Sequence, residues 1–285
     1  MGFRLKRLEE WDRFSGDRGP VLDGIEFLRH RLGDDFSSLP GEEIARRANQ
    51  VKLVRESDTY ASLLINRRRL PGWFAFEGLT ELYQTLQDNR PIIFLGGHLG
   101  SNYTMWPALD CFGCTVYPVA RAVDRSPTTP RARQAYMDLT YWLTNKKWRG
   151  RYLLADANGH FPGGEFPKIL DDVFHRRGIC FAAIDFPPGL FQGKQEKVPF
   201  LGGMTPLPSH FIQLGLKKNA RFFTILEGVE LKGRRKVRHI HLQAIDDQLD
   251  AGDILRVYAK RLTTFICREP WQWLGLAIAR QYVIE

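Results

Sequence analysis

Pro91-Ile-Ile-Phe-Leu-Gly-Gly97 and Gly178-Ile-Cys-Phe-Ala-Ala-Ile184 decide the fold. Each is a short, unbroken apolar run, the pattern of a strand covered on both faces rather than one that alternates between core and water. Helical periodicity between them at Ser101 to Leu109, Pro130 to Leu143 and Pro167 to Arg176 is interleaved with strand-like runs at Cys114 to Val119 and Tyr152 to Ala155. That alternation predicts an α/β fold: a mixed, largely parallel central β-sheet flanked by helices. Downstream, the Gly/Pro-rich stretch from Phe186 to Gly203 reads as a loop long enough to be functional. A helix from Pro208 to Lys217, strands from Ala220 to Glu227 and Val237 to Ala244 around the basic turn Lys232-Gly-Arg-Arg-Lys236, and a helix from Ala251 to Arg268 follow. Upstream the chain reads as a helical N-terminal segment, with helices over Asp23 to Leu32, Glu42 to Arg55, Tyr60 to Arg69 and Glu77 to Leu86. No repeat or linker interrupts it, so residues 1–285 are expected to form one domain, with 1–90 mostly helical and 91–285 the α/β core.

Composition removes several classes. A 285-residue chain with 44% hydrophobic and 26% charged residues is neither disordered, collagen-like nor a disulfide scaffold. Forty-one Lys and Arg against thirty-two Asp and Glu give a formal charge of +9, which favours an acidic partner: phosphate, an anionic membrane or an acidic protein. Part of the excess lies in residues 101–150, where Arg121, Arg125, Arg131, Arg133, Lys146, Lys147 and Arg149 face only three acids, and part at Lys217, Lys218, Arg221 and 232–238. The four cysteines point to a reducing compartment, and Cys111-Phe-Gly-Cys114 finds no second pair with metal-ligand spacing. No apolar run is long enough to span a bilayer. At the N-terminus, Arg4, Lys6 and Arg7 break any signal-peptide pattern. Phe3, Leu5, Leu8, Trp11 and Phe14 share a face there, as in an interfacial basic amphipathic helix or a short helix docking on the domain.

Sites in open α/β sheets form beyond the carboxyl ends of strands. His98 and Asp185 occupy two such ends. His98 lies in Gly96-Gly-His-Leu-Gly-Ser-Asn-Tyr103, where glycines allow close approach to the backbone and the following helix offers N–H groups to negative charge. The imidazole suits a general base, or it caps the helix. Gly189 to Lys194 fails as a P-loop, and Ser101 lacks a G-x-S-x-G elbow, which leaves a Ser101–His98–Asp185 hydrolase weakly supported. No histidine pair has metal-ligand spacing; His239 and His241 alternate along a strand and read as a solvated face.

Five features in order carry a family resemblance: His98-Leu-Gly-Ser-Asn102 at a strand end, an Arg-bearing helix, an apolar strand ending in Asp185, Lys197-Val-Pro-Phe-Leu-Gly-Gly-Met-Thr205, and Glu269-Pro-Trp-Gln-Trp273. Over roughly residues 20–280 the chain resembles the late acyltransferases of lipid A biosynthesis (lauroyl/myristoyl transferases), of the lysophospholipid acyltransferase superfamily. The resemblance implies transfer of an acyl group from an acyl carrier protein or CoA thioester to a hydroxyl or amine of a glycolipid or other amphiphile. It implies no cofactor beyond that thioester, and a cytoplasmic protein peripheral to the inner face of the membrane. By the same resemblance His98 is the base, Asp185 and Arg133 assist catalysis, and Gly100, Ser101, Asn102, Tyr103, Arg121 and Lys197 contact substrate.

The sequence departs from the family at one point. Family enzymes place Asp or Glu five residues after the histidine, and here that residue is Tyr103, a phenol without charge near pH 7. Either another acid serves His98, with Asp185 the first candidate, or a weaker base meets a more nucleophilic acceptor such as an amine, or catalysis is lost. The second reading is therefore a catalytically altered relative that binds acyl carrier or acyl groups, or forms an amide or ester in a secondary-metabolite pathway. A third, a nucleic-acid-binding protein, rests on charge alone and lacks an aromatic-plus-basic recognition motif.

Overall fold

The computed structural model describes residues 18–121, 131–146, 148–155, 165–188, 193–232 and 235–283. Helices α1 (Gly19–Leu32) and α2 (Gly41–Ala61) precede a short α3 (Leu70–Trp73), strand β1 (Phe74–Glu77) and α4 (Leu79–Gln87). Strands and helices then alternate: β2 (Ile92–Gly96), α5 (Asn102–Cys111), β3 (Val116–Arg121), α6 (Arg131–Asn145), β4 (Leu153–Ala155), α7 (Phe166–His175) and β5 (Ile179–Ala183). A hairpin of β6 (Gln195–Phe200) and β7 (Gly203–Pro208), then α8 (His210–Lys217), β8 (Arg221–Lys232), β9 (Arg235–Ala244) and α9 (Ala251–Arg268) follow. Single-turn 3-10 segments lie at Pro270–Gln272 and, longer, at Leu276–Tyr282.

The main sheet has seven strands in the order β1-β9-β8-β2-β5-β3-β4. The five from β8 to β4 run parallel; β9 reverses against β8, and β1 runs with β9 at that edge. The two runs that decided the fold are its centre, paired in register from Ile92 with Ile179 to Gly96 with Ala183. Their side chains divide by parity. Ile93, Leu95, Cys180 and Ala182 face a core built with α9, α8, α7 and α1, while Ile92, Phe94, Ile179 and Phe181 face a second core under α5 and α4. Helix α9 forms because Ile254, Leu255, Tyr258, Ala259, Leu262, Phe265 and Ile266 make one apolar stripe, and Asp250 caps it by accepting the Asp253 N–H at 2.8 Å.

Three sequence expectations change. The helix expected over Tyr60 to Arg69 is absent: α2 runs on to Ala61, a 3-10 turn takes Ser62–Leu64, and Asn66 caps a turn through its side-chain oxygen at the Arg68 and Arg69 N–H groups. Phe74-Ala-Phe-Glu77 is a strand, so Glu77 ends β1 and the helix begins only at Leu79. The expected loop over Phe186 to Gly203 contains β6, whose Val198 and Phe200 are buried beside α9 while Lys197 and Pro199 are exposed. The N-terminal segment supplies an edge strand to the main sheet, and α1 packs on the Leu276–Tyr282 segment so closely that a Cβ on Gly24 would lie 1.8 Å from the Leu276 carbonyl oxygen. The amphipathic pattern at residues 3–14 lies outside the described residues. Among the described residues, no helix is long and apolar enough to cross a membrane.

Candidate active site

Strands β2 and β5 are adjacent and parallel, so the residues just past their carboxyl ends must meet. His98 follows β2 by two residues and Asp185 follows β5 by two. The His98 Nδ1 lies 2.7 Å from Asp185 Oδ1, and the His98 backbone N–H donates to Asp185 Oδ2 at 2.8 Å. Trp273 Nε1 donates to the same Oδ2 at 3.0 Å. A carboxylate cannot donate, so the short contact assigns the ring proton to Nδ1 and leaves the Nε2 lone pair for a substrate proton. Asp185 is fully buried, whereas the His98 side chain is 35% exposed. The pair thus has a sheltered acid and an accessible base.

The surroundings over-determine this geometry. Tyr258 of α9 donates to the Gly96 carbonyl at 2.7 Å, Tyr282 donates to the Asp185 carbonyl at 2.8 Å, and the Leu274 N–H donates to the His98 carbonyl at 2.9 Å. Phe186 meets the His98 ring edge-on at 5.2 Å between centroids. A Cβ at Gly97 would crowd Asp185 Oδ2 at 3.1 Å. The Glu269-Pro-Trp-Gln-Trp273 segment is therefore a clamp: Trp273 holds the acid, the Gln272 carbonyl accepts the Gly100 N–H at 2.9 Å, and the Gln272 side chain bonds both backbone groups of Val229 in β8.

The other expected residues are distributed less evenly. Gly100 turns the chain at φ 44°, and its N–H is already bonded to the Gln272 carbonyl. Ser101 is fully buried, and its hydroxyl has no partner among the described residues; with no bond to His98 it does not complete a nucleophilic triad. Tyr103 lies under the Arg55 guanidinium of α2, 5.5 Å from its ring centroid. Among the described residues its phenol makes no hydrogen bond to His98, whose imidazole contact is with Asp185. Lys197 is exposed on the hairpin. Asn102 begins α5, Arg121 ends β3 and Arg133 lies in α6, and their side chains are outside the described residues.

Two acids that sequence reading missed lie beside the site. Glu227, on β8 next to Gly100, is 2% exposed and neither carboxyl oxygen has a hydrogen-bond partner among the described residues. Burial pushes its carboxyl well above the usual range and the Asp58 charge adds to this, while Arg238, Arg55 and the Ser101 N–H pull the other way. A lone acid ending the apolar run Phe222-Phe-Thr-Ile-Leu226 was the available signal. Asp58 of α2 is fully buried against Arg238 of β9, which donates from Nε at 2.9 Å and from Nη2 to the other oxygen. Thr104 of α5 donates weakly to Asp58 at 3.4 Å.

Glu227 makes a pH prediction. The folded state holds its proton and the unfolded state releases it near 4.5, so wild-type stability from this group falls as pH rises above that value. Glu227→Gln is expected to be the more stable protein at neutral pH, with a Tm advantage that widens from pH 5 to pH 8. A constant difference across that range in paired thermal melts would contradict the buried, protonated acid.

The cysteines take no part in this geometry. All four are free, and burial pushes the Cys114 thiol up to about 11 and Cys111 up in the same direction, the opposite of a reactive thiol. Among the described residues no cluster of His, Cys, Asp and Glu is arranged to hold a metal ion. His239 and His241 are each held by a carboxylate, Glu230 at 3.0 Å and Glu77 at 2.8 Å. Neither a scan against protein-family models nor a search of curated proteins finds a match to this chain, so the site's geometry and the sequence resemblance are what bear on its function.

Proposed function

We propose that the protein is an acyltransferase that moves an acyl group from a carrier-protein or CoA thioester to a hydroxyl or amine of an amphiphilic acceptor. The observation that carries the reading is the 2.7 Å contact between His98 Nδ1 and the buried Asp185 Oδ1. It supplies an acid for the histidine at the point where the resemblance to the late lipid A acyltransferases leaves Tyr103. A base so equipped favours turnover over mere acyl binding.

In the proposed reaction His98 Nε2 removes the acceptor proton as the acceptor oxygen or nitrogen attacks the thioester carbonyl carbon. Asp185 keeps the proton on Nδ1 and stabilises the imidazolium that forms. The tetrahedral oxyanion would be stabilised by first-turn N–H groups of α5 past Gly100, or by Arg133. Collapse breaks the C–S bond, and the departing thiolate takes the proton from His98 Nε2, leaving an ester or amide and a free thiol. An amphiphilic acceptor and a peripheral location at the inner face of the membrane are supported by Leu139 and Trp142, which stand exposed on α6 with Lys146 4.4 Å from the Trp142 ring centroid.

The test is incubation of the purified protein with acyl carrier protein or CoA thioesters and a panel of hydroxyl and amine amphiphiles, followed by mass spectrometry. Acylated acceptor and stoichiometric free thiol are expected. Thioester bound without release of thiol would favour the altered relative over the enzyme.

A further inference from the structure

A cavity of about 620 Å³ lies between the end of α2, the segment around α3 and the outer end of β9, lined by Asp58, Arg68, Arg69, Arg235, Lys236 and Arg238. Five cations thus surround one carboxylate, and that carboxylate is already held by Arg238 through both of its oxygens. Lys236 is braced by its Nζ bond to Ser57 Oγ at 2.8 Å, and Arg69 donates to the Leu64 carbonyl at 3.2 Å while leaning over Trp73. The Arg68 and Arg235 guanidinium groups have no hydrogen-bond or ion-pair partner among the described residues. Arg68, Arg69, Arg235 and Lys236 therefore share a concave space in which Asp58, already paired with Arg238, is the one acid among the described lining residues, and this focuses a positive potential into it. Burial holds the Lys236 ammonium below its usual range, with Asp58 opposing the shift and Arg238 adding to it, consistent with a cation placed where an anion is wanted.

The cavity is not the His98 site. Arg238 pairs with Val229 and Lys236 with Leu231, whereas the last residue of β2 pairs with Ile225. Four and six residues along a strand are about 13 and 20 Å, so the cations lie beyond the carboxyl end of the central strands, at the same end of the sheet as His98 but displaced from it. Arg68 and Arg69 come from the N-terminal segment and Arg235 to Arg238 from β9, so only the fold brings them together.

We propose that this cavity binds a phosphate ester, as a phosphomonoester or diphosphate group of a larger molecule. A carboxylate carries one negative charge, too little for four cations, whereas a phosphomonoester or diphosphate carries two or three and matches the guanidinium fork with paired oxygens. The volume is that of a small-molecule site rather than of a single ion. The half-buried Trp73 on the wall offers apolar surface to the rest of the ligand. The inference stands whether or not the chain transfers acyl groups.

The test uses the full chain and the double variant Arg68→Ala/Arg235→Ala, both at exposed positions, with a thermal melt of the variant to check that it is folded. Inorganic pyrophosphate is titrated by calorimetry and thermal shift against sodium chloride of equal ionic strength, and vesicles of phosphatidic acid in phosphatidylcholine are compared with phosphatidylcholine alone. Saturable pyrophosphate binding that weakens at least about tenfold in the double variant supports the site and identifies a soluble phosphate ester. Phosphatidic acid binding that weakens likewise, without a pyrophosphate response, supports it and identifies a lipid headgroup. Absence of saturable binding to either probe, or binding that the double variant retains in full, overturns the proposal.

Discussion

In the acyl-transfer assay, His98→Ala is expected to lower turnover about 10²–10⁴-fold, the usual contribution of a positioned general base. Stability should change little. The ring is 35% exposed, and Asp185 keeps its bonds from the His98 backbone N–H and from Trp273. One lost side-chain hydrogen bond costs about 1 kcal/mol. Asp185→Asn separates positioning from folding. Its amide oxygen can still accept from Trp273 and the backbone, which turns the NH₂ toward His98 Nδ1. The ring must then accept at Nδ1 and carry its proton on Nε2, the wrong tautomer for a base, so a fall of about 10³–10⁴ in turnover with a near-normal Tm is expected. Turnover and thermal melts of both variants, with the pH–rate profile of Asp185→Asn, are the measurements. Retention of a tenth or more of wild-type turnover by His98→Ala would remove it as the base.

Arg238→Ala is expected to be the most destabilising single change, costing about 3–5 kcal/mol or roughly 6–20 °C in Tm. Arg238 and Asp58 are 2% and 0% exposed, so removing the cation leaves a buried carboxylate without its partner, and Glu227 loses its leading cationic influence as well. The Arg238 guanidinium also lies over the rings of Trp73 and Phe74, at 5.7 and 5.4 Å, so the change removes packing as well as charge. The double variant Asp58→Leu/Arg238→Met should recover most of the loss, because apolar groups of similar size leave no charge unpaired. Urea or thermal denaturation decides this. A loss below 1 kcal/mol for Arg238→Ala would mean that water or a neighbouring group neutralises Asp58.

Much of the fold was legible because the central strands are buried on both faces. Such strands must be apolar throughout, and Ile92 to Gly96 and Ile179 to Ala183 announce themselves without reference to any neighbour. The edges were harder to read. Phe74 to Glu77 and Gln195 to Phe200 each have exposed residues, too short or too mixed for a period to show, and became strands only because β9 and β7 lay alongside.

The site divides along the same line. Sequence alone placed His98 and Asp185 at strand ends, since the strands themselves dictate where their carboxyl ends fall. That the two strands are neighbours, so that the acid reaches the imidazole, was decided by sheet order, a long-range pairing with no local signature. The same is true of Asp58 with Arg238, and of Arg68 and Arg69 with Arg235 and Lys236. Charges distant along the chain are paired or gathered only by tertiary packing, and where that packing buries them, as at Asp58 and Arg238, burial gives a charge its need for a partner.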